Sequence, residues 1–521
     1  MIASLAEYRE SLRPFKPRVF IDGERIESVA DEPRLQPGIN AIGVTYDMAA
    51  DPELAPLMKA VEQETGKTVD RMTQIDRTPD DLLKKLEAVR IMCRESGCSQ
   101  RYLVHDAFNG LYQATKKCDA EEGTNYFERF RDFMIETQEN GYNYAIAMTD
   151  AKGDRSKKPH QQANADTYVH VVEERSDGIV ISGTKAIVTS APYVHGFLVM
   201  PCRAMGPEDK AFAVCGVVPV DAEGVTIICR PSGRPGEDAA VFSKRYGQTT
   251  GVVIFDNVFI PHERVFLSGE TAHSEDVTKN YATHHRQSCI AARAGFGDLL
   301  IGAGALMIEA NGLDCDRHGH LRDDMVELIK IVEGFFATGV AASIYGQKDG
   351  SGNIMPEPVF SNIGKLLMAT QIYDMHRLAH TVSGGLIVAL PGPDEDHNPE
   401  TAGTLSDVLK GRDDIPASQR LQAARLIEDL TASHQGGWYS VISLHGGGSP
   451  EAMKREIWRN YPVAEKKEIA QQLMDRDLTE RQYSKDGGKR PDRQPGRCCT
   501  VGCRVPDFLM DGAIGKKSAA E

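Results

Sequence analysis

Apolar residues recur at helical spacing along much of the N-terminal third of the chain. Pro79-Asp80-Asp81 opens one amphipathic run, in which Leu82, Leu83, Leu86, Val89 and Ile91 fall on or beside one face. A second run, Gly123 to Asn140, carries Tyr126, Phe127, Phe130, Phe133, Met134 and Ile135 and stops at Gly141-Tyr142-Asn143. From about Asp166 to Pro261 the pattern changes to short β-rich runs, Tyr168–Val172, Ile179–Gly183, Gly196–Met200, Ala211–Pro219 and Gly251–Phe255, separated by Asp-Gly, Pro and charged turns. These runs do not alternate with helices and no G-x-G-x-x-G follows any of them, which disfavours a Rossmann domain. Beyond Pro261 helical spacing returns over about Val277–Asn311, Leu321–Tyr345, Val359–Ser383, Ala417–Ala432 and Pro450–Met474, enough for a helical bundle. Pro391–Pro416 reads as a loop. The pattern predicts an α+β protein: an N-terminal mainly helical domain (1–145), a middle β domain, barrel or sandwich (146–275), a C-terminal helical bundle (276–480) and a charged, Pro-rich tail (481–521).

Composition narrows this only slightly. A chain of 521 residues exceeds what one simple core organises, and its 41% hydrophobic and 26% charged content is that of an ordinary globular protein. The net charge of -15 disfavours nucleic acid and other polyanions as partners. No stretch reaches the roughly 18 uninterrupted apolar residues that a membrane span requires, and no secretion signal is recognisable at Met1–Glu7, so the cytoplasm is the expected compartment. The 11 cysteines are dispersed and odd in number, which points to free thiols. Cys498, Cys499 and Cys503 lack a paired C-x-x-C or a nearby histidine, so no metal site is expected there.

Three segments carry a family resemblance. Phe255-Asp256-Asn257-Val258-Phe259-Ile260-Pro261 resembles the strand closing the β domain of acyl-CoA dehydrogenases and their relatives. Thr149-Asp150-Ala151-Lys152-Gly153-Asp154-Arg155-Ser156 resembles a flavin-contacting loop. Cys98-Ser99-Gln100-Arg101 and His285-Arg286-Gln287-Ser288 resemble the active-site helices of 4-hydroxybutyryl-CoA dehydratase, which shares one family with the 4-hydroxyphenylacetate 3-hydroxylases. The resemblance implies an acyl-CoA dehydrogenase-like fold, bound FAD between the β domain and the bundle, and a homotetramer.

The departures are as informative. The dehydratase holds a [4Fe–4S] cluster with three cysteines and a histidine; here Cys98 and His285 match two ligands, while Tyr102 and Ala292 stand at the others. Two thiolates are missing, so no metal cluster is expected. Cys289 replaces the dehydratase's tyrosine, Arg293 matches its lysine, Glu451 matches a catalytic carboxylate, and Thr250 stands at the place of another glutamate. Toward the hydroxylases, the phenol-binding histidine falls near Ile146 and the phenol-contacting arginine corresponds to Arg101.

On a helix His285, Cys289 and Ala292 share a face with Arg293 beside them, so an imidazole, a thiol and a guanidinium can address one pocket. The same residues would also serve as packed bundle positions. The catalytic candidates are thus His285, Arg101, Arg293, Cys289 and Glu451. For the flavin, the resemblance implies Thr149, Asp150, Lys152, Arg155 and Ser156, together with Thr189 and the Gly447-Gly448 turn, where Ser449 and Pro450 open a helix whose amides can bind an anion. The expected function is an FAD-dependent oxidoreductase, a two-component monooxygenase that hydroxylates an aromatic acid or phenol, or an acyl-CoA-type substrate, with reduced FAD from a separate reductase. The alternatives are a cluster-free lyase or isomerase on a CoA thioester and a non-catalytic scaffold of the same fold.

Overall fold

The computed structural model describes residues 2–232 and 240–474. The expected tail 481–521, including Cys498, Cys499 and Cys503, lies outside the described residues.

Helices at both ends enclose a β region, in the order that the pattern predicts. The first amphipathic run forms the helix Pro79–Ser96, begun by a capping box in which Thr78 Oγ1 accepts from Asp81 N and the Asp81 carboxylate accepts from Thr78 N. The helix Tyr102–Glu122 was not apparent in the sequence because it is apolar on nearly every side, with fifteen of its residues buried, so it shows no single stripe. The second predicted run is the helix Tyr126–Asn140.

The β region consists of two sheets and no closed barrel among the described residues. The larger is built on the antiparallel pair Gly178–Thr189 and Thr250–Pro261. Val225–Cys229 pairs with Thr250–Pro261 on its other side, and Val19–Ile21, from the N-terminal part of the chain, adds in parallel to Val225–Cys229. The smaller sheet takes Tyr144–Ala147, Gly196–Val199, Val214–Pro219 and Val265–Ser268. Phe197 of the smaller sheet meets Phe255 of the larger edge to face, with ring centroids 6.0 Å apart, as in a sandwich core.

The helix Ser274–Ala310 is the axis of the molecule. It packs against Pro79–Ser96, Tyr102–Glu122, Gly319–Ile344 and Pro358–Ser383. By length and composition it would pass for a membrane span, but most of that apolar stretch is buried inside the protein. The predicted Pro450–Met474 helix is two, Pro450–Asn460 and Val463–Met474, because Pro462 cannot continue the first. The 391–416 stretch contains a short helix, Ala402–Val408. The helix His434–His445, missed because its Gly436-Gly437 pair suggests a turn, bridges to the β region: Trp438 Nε1 donates to Thr250 Oγ1 at 2.9 Å.

Candidate active site

The site grows from the turn that joins Pro79–Ser96 to Tyr102–Glu122. Gly97 ends the first helix at φ +68, and a Cβ there would sit 2.4 Å from the Tyr439 hydroxyl, so both backbone and space require glycine. Cys98 follows, fully buried. Gln100 Nε2 donates to its Sγ at 3.2 Å, and the Tyr102 hydroxyl and Arg293 Nη2 lie 3.7 and 3.8 Å from it. A hydrogen bond from Cys93, then the Arg293 guanidinium and the Tyr102 phenol, pull the Cys98 thiol down to about 6 against the effect of burial.

Facing this turn, His285 and Cys289 project one helical turn apart from Ser274–Ala310. Cys289 Sγ is 3.4 Å from His285 Nε2, and His285 Nδ1 donates to Asp106 Oδ2 at 3.0 Å. Asp106 is fully buried and accepts from Ser288 Oγ at 2.6 Å; Ser288 in turn accepts from Lys85 Nζ at 2.8 Å. Burial opposes charge on the imidazole, but Cys289 and Asp106 outweigh it and lift His285 to about 9. Burial likewise opposes a Cys289 thiolate, and the His285 imidazolium outweighs it, so the thiol lies below its ordinary value. The arrangement is a carboxylate–imidazole–thiol relay, in which the imidazolium favours the thiolate and the thiolate in turn favours the imidazolium. The rings of Tyr281 and Tyr102 stack on His285 at 5.2 and 6.0 Å. Lys365, fully buried and pushed down to about 8 by burial, with Cys289 resisting, adds a cation beside the thiol.

Four-ligand metal binding does not fit these side chains. The Tyr102 hydroxyl lies 3.7 Å from Cys98 Sγ and its ring stacks on His285 at 6.0 Å, so a phenol stands where a second thiolate would be needed, and Ala292 offers no donor atom.

Of the proposed catalytic residues, the structure brings together His285, Cys289 and Arg293, the last lying over the rings of Tyr439 and Phe296. It does not bring Arg101 to them. Arg101 faces the other way, donating through Nη1 to Asp70 and Thr45 and lying flat on the Tyr46 ring. Glu451 is also elsewhere: it is exposed and paired with Arg455 at 3.1 Å, because the first turn of Pro450–Asn460 points it outward. Ser449 is the N-cap of that helix but its side chain makes no cap hydrogen bond. Asp106, Lys365 and Lys85 went unnoticed in the sequence. Asp106 carries a weak signal only, an ionisable residue in an otherwise buried helix, and neither lysine carries any.

The flavin candidates divide in the same way. The Gly447-Gly448 turn, with φ of +73 and +108, lies against the site: a Cβ on Gly447 would come 3.1 Å from His285 Cδ2, and Gly447 O accepts from Arg286 Nε. Thr189 is buried where its strand pairs with Thr250. Beside that pair the side-chain oxygens of Ser190, Gln248 and Thr249 are buried without a hydrogen-bond partner. A polar wall of this kind near the Trp438 contact fits a flavin ring edge, whose carbonyls and ring nitrogens would pair with it. The 150–156 loop fits less well. Asp150 is consumed inside the β region by Lys185 at 2.7 Å and by Val169 N, while Arg155 and Ser156 are exposed and Thr149 and Lys152 only partly covered.

Comparison with known proteins places this geometry. The family models for 4-hydroxyphenylacetate 3-hydroxylase match the chain over residues 5–267 (N terminal) and 274–475 (C terminal). A 4-hydroxybutyryl-CoA dehydratase/vinylacetyl-CoA-Delta-isomerase from Clostridium aminobutyricum is 33% identical, covering 91% of this chain and 99% of its own length. The oxygenase component of 4-hydroxyphenylacetate 3-monooxygenase from a Geobacillus species is 24% identical over 90% of this chain and 95% of its own. An oxygen-tolerant archaeal 4-hydroxybutyryl-CoA dehydratase from N. maritimus superimposes with a TM-score of 0.88 at 31% identity, covering 99% of this chain and 100% of that one. A 4-hydroxyphenylacetate 3-monooxygenase oxygenase component, solved with FAD, shares the fold at a TM-score of 0.81 and 22% identity, over 91% of this chain and 98% of that one. With the helical–β–helical architecture and both family models spanning nearly all described residues, the chain belongs to the 4-hydroxyphenylacetate 3-hydroxylase family.

Proposed function

We propose that this protein is an FAD-containing enzyme that moves protons along the carbon skeleton of an acyl thioester, an isomerase or lyase that works without an iron–sulfur cluster. The observation that carries this reading is the Asp106–His285–Cys289 relay, in which one group is poised as a base and its neighbour as an acid. The Cys289 thiolate takes a proton from the carbon beside the thioester carbonyl. The His285 imidazolium, oriented by Asp106, returns a proton to a carbon further along the chain or to a departing hydroxyl. The Lys365 and Arg293 cations, which interact electrostatically with Cys289, would offset negative charge that develops on the carbonyl oxygen. The flavin would be held by Thr189, by the free oxygens of Ser190, Gln248 and Thr249, and by the Gly447-Gly448 amides; when bound it supplies the one-electron or hydride chemistry that side chains lack. Similarity over nearly the full length to a dehydratase and isomerase of CoA thioesters supports the substrate class.

A second reading, the two-component monooxygenase fed with reduced FAD by a separate reductase, is favoured by two observations: Tyr102 and Ala292 stand where the dehydratase carries cluster thiolates, and oxygenase components are among the relatives. The experiment that separates the two is an anaerobic incubation of FAD-loaded protein with vinylacetyl-CoA, followed by chromatography of the thioesters. Migration of the double bond without oxygen, lost by about 100-fold or more in His285→Gln with FAD binding intact, supports the proton-transfer enzyme. No conversion, together with oxygen uptake and hydroxylated product from reduced FAD and 4-hydroxyphenylacetate, would establish the monooxygenase.

A further inference from the structure

The cavity that contains Arg101 lies apart from the relay, and none of the residues that line it belongs to the His285 cluster. Its volume is about 270 Å³. Ligand pockets for drug-sized molecules run from ~300 to 1,000 Å³, so this one suits something smaller. Its walls are apolar where Tyr46, Ala49 and Val69 form them, and the exposed Lys59 also borders it.

Arg101 is 1% exposed, and both of its hydrogen bonds leave from one nitrogen, Nη1 to Asp70 Oδ2 at 2.8 Å and to Thr45 Oγ1 at 3.1 Å. Nε and Nη2 bond to no described residue. Those two N–H groups form one edge of the planar guanidinium, the edge that receives a carboxylate through two parallel hydrogen bonds. The guanidinium is held in place, its carbon 3.8 Å from the centre of the Tyr46 ring, and Tyr46 is itself tied by its hydroxyl to Gly141 O. Asp70 does not compete for the free edge. Its Oδ1 accepts from Met72 N and caps the following turn, which fixes the carboxylate on the Nη1 side. Among the ionisable lining residues Lys59 and Arg101 face the single acid Asp70, which leaves a net positive charge in a chain that is otherwise acidic. The edge left unused by the protein is therefore open to a partner that enters the cavity.

We propose that this cavity is a second binding site, distinct from the relay, for a small organic monocarboxylate whose carboxylate pairs with the Nε–Nη2 edge of Arg101 and whose apolar body packs on Ala49, Val69 and Tyr46. The test is calorimetric titration of the full chain with butyrate and phenylacetate, each against its neutral amide. The acids should bind at least about tenfold more tightly than the amides, the worth of one charge-assisted pair. Arg101→Gln should erase that preference. Because Arg101→Gln removes a buried ion pair and can cost the fold, Ala50→Trp provides a second variant, at an exposed helix position bordering the cavity. It should abolish acid binding while the rate of Cys289 alkylation stays unchanged. Equal affinity for acid and amide, unchanged binding in Ala50→Trp, or loss of binding after Cys289 is alkylated would each overturn the proposal.

Discussion

The 3.4 Å gap between Cys289 Sγ and His285 Nε2 lets the two share one proton, and the position of that proton sets how Cys289 reacts. An ordinary thiol gains reactivity toward iodoacetamide about tenfold per pH unit until it is ionised near ~8.5. Cys289, with its thiolate favoured by the imidazolium, should instead reach its plateau at a lower pH than an ordinary thiol. Asp106→Asn removes the carboxylate that holds His285 charged, so the rising part of the profile should move toward higher pH; mass-resolved alkylation at Cys289 reads both curves. An unmoved profile in the variant would mean that Asp106 only packs. At this scale the sequence exposed about half of the site. His285, Cys289 and Arg293 were visible because residues at i, i+4 and i+8 share a helical face. Asp106 and Lys365 were not, because each comes from another helix and only the fold makes them neighbours.

Between elements, the decisive contact is the crossing of Pro79–Ser96 over Ser274–Ala310. At Gly295 the two backbones come so close that a Cβ would lie 2.3 Å from Arg90 O and 2.7 Å from Arg94 N. Neither atom can rotate out of the way. Gly295→Ala should therefore force the helices apart and destabilise the fold by about 1–3 kcal/mol, read as a lower chemical-denaturation midpoint. It should also widen the Cys98–Arg293 contact next to it, which slows no proton transfer directly but alters the Cys98 thiol. Helix boundaries were legible where periodicity was strong: Ser274–Ala310, Gly319–Ile344, Pro358–Ser383 and Ala417–Thr431 each begin and end within a few residues of the predicted runs. Tyr102–Glu122 and the helix Gln36–Ala50 were not, since burial on most sides removes the amphipathic signal. The pairing of Val19–Ile21 with Val225–Cys229 was beyond reach for another reason: three residues carry no period, and their partner lies some two hundred residues away.

Across the molecule, charge inside the protein sets its response to acid. Burial holds His195, His284 and His376 neutral, pushing them down to about 4, about 3 and about 4. Once unfolded, each takes up a proton near its ordinary value of 6.5. Between that value and about 4 the unfolded chain binds more protons than the folded one, so stability is full above the ordinary histidine range and is lost as the pH falls through it. Melting temperatures measured from pH 7.5 down to pH 4.5 should fall most steeply below about 6.5, and His284→Asn should flatten the slope. A flat profile in the unmodified protein would show that these rings find partners on protonation.

The bond from Trp438 to Thr250 gives the protein an optical reporter of its own. The chain has two tryptophans, and they differ sharply: Trp438 is 4% exposed at the seam between bundle and β region, whereas Trp458 is 73% exposed. Iodide should quench the second and spare the first. The light that survives quenching then comes from a single indole, anchored by its N–H at the boundary where a bound chromophore would accept its excitation energy, so occupancy and closure of that boundary can be followed without any label.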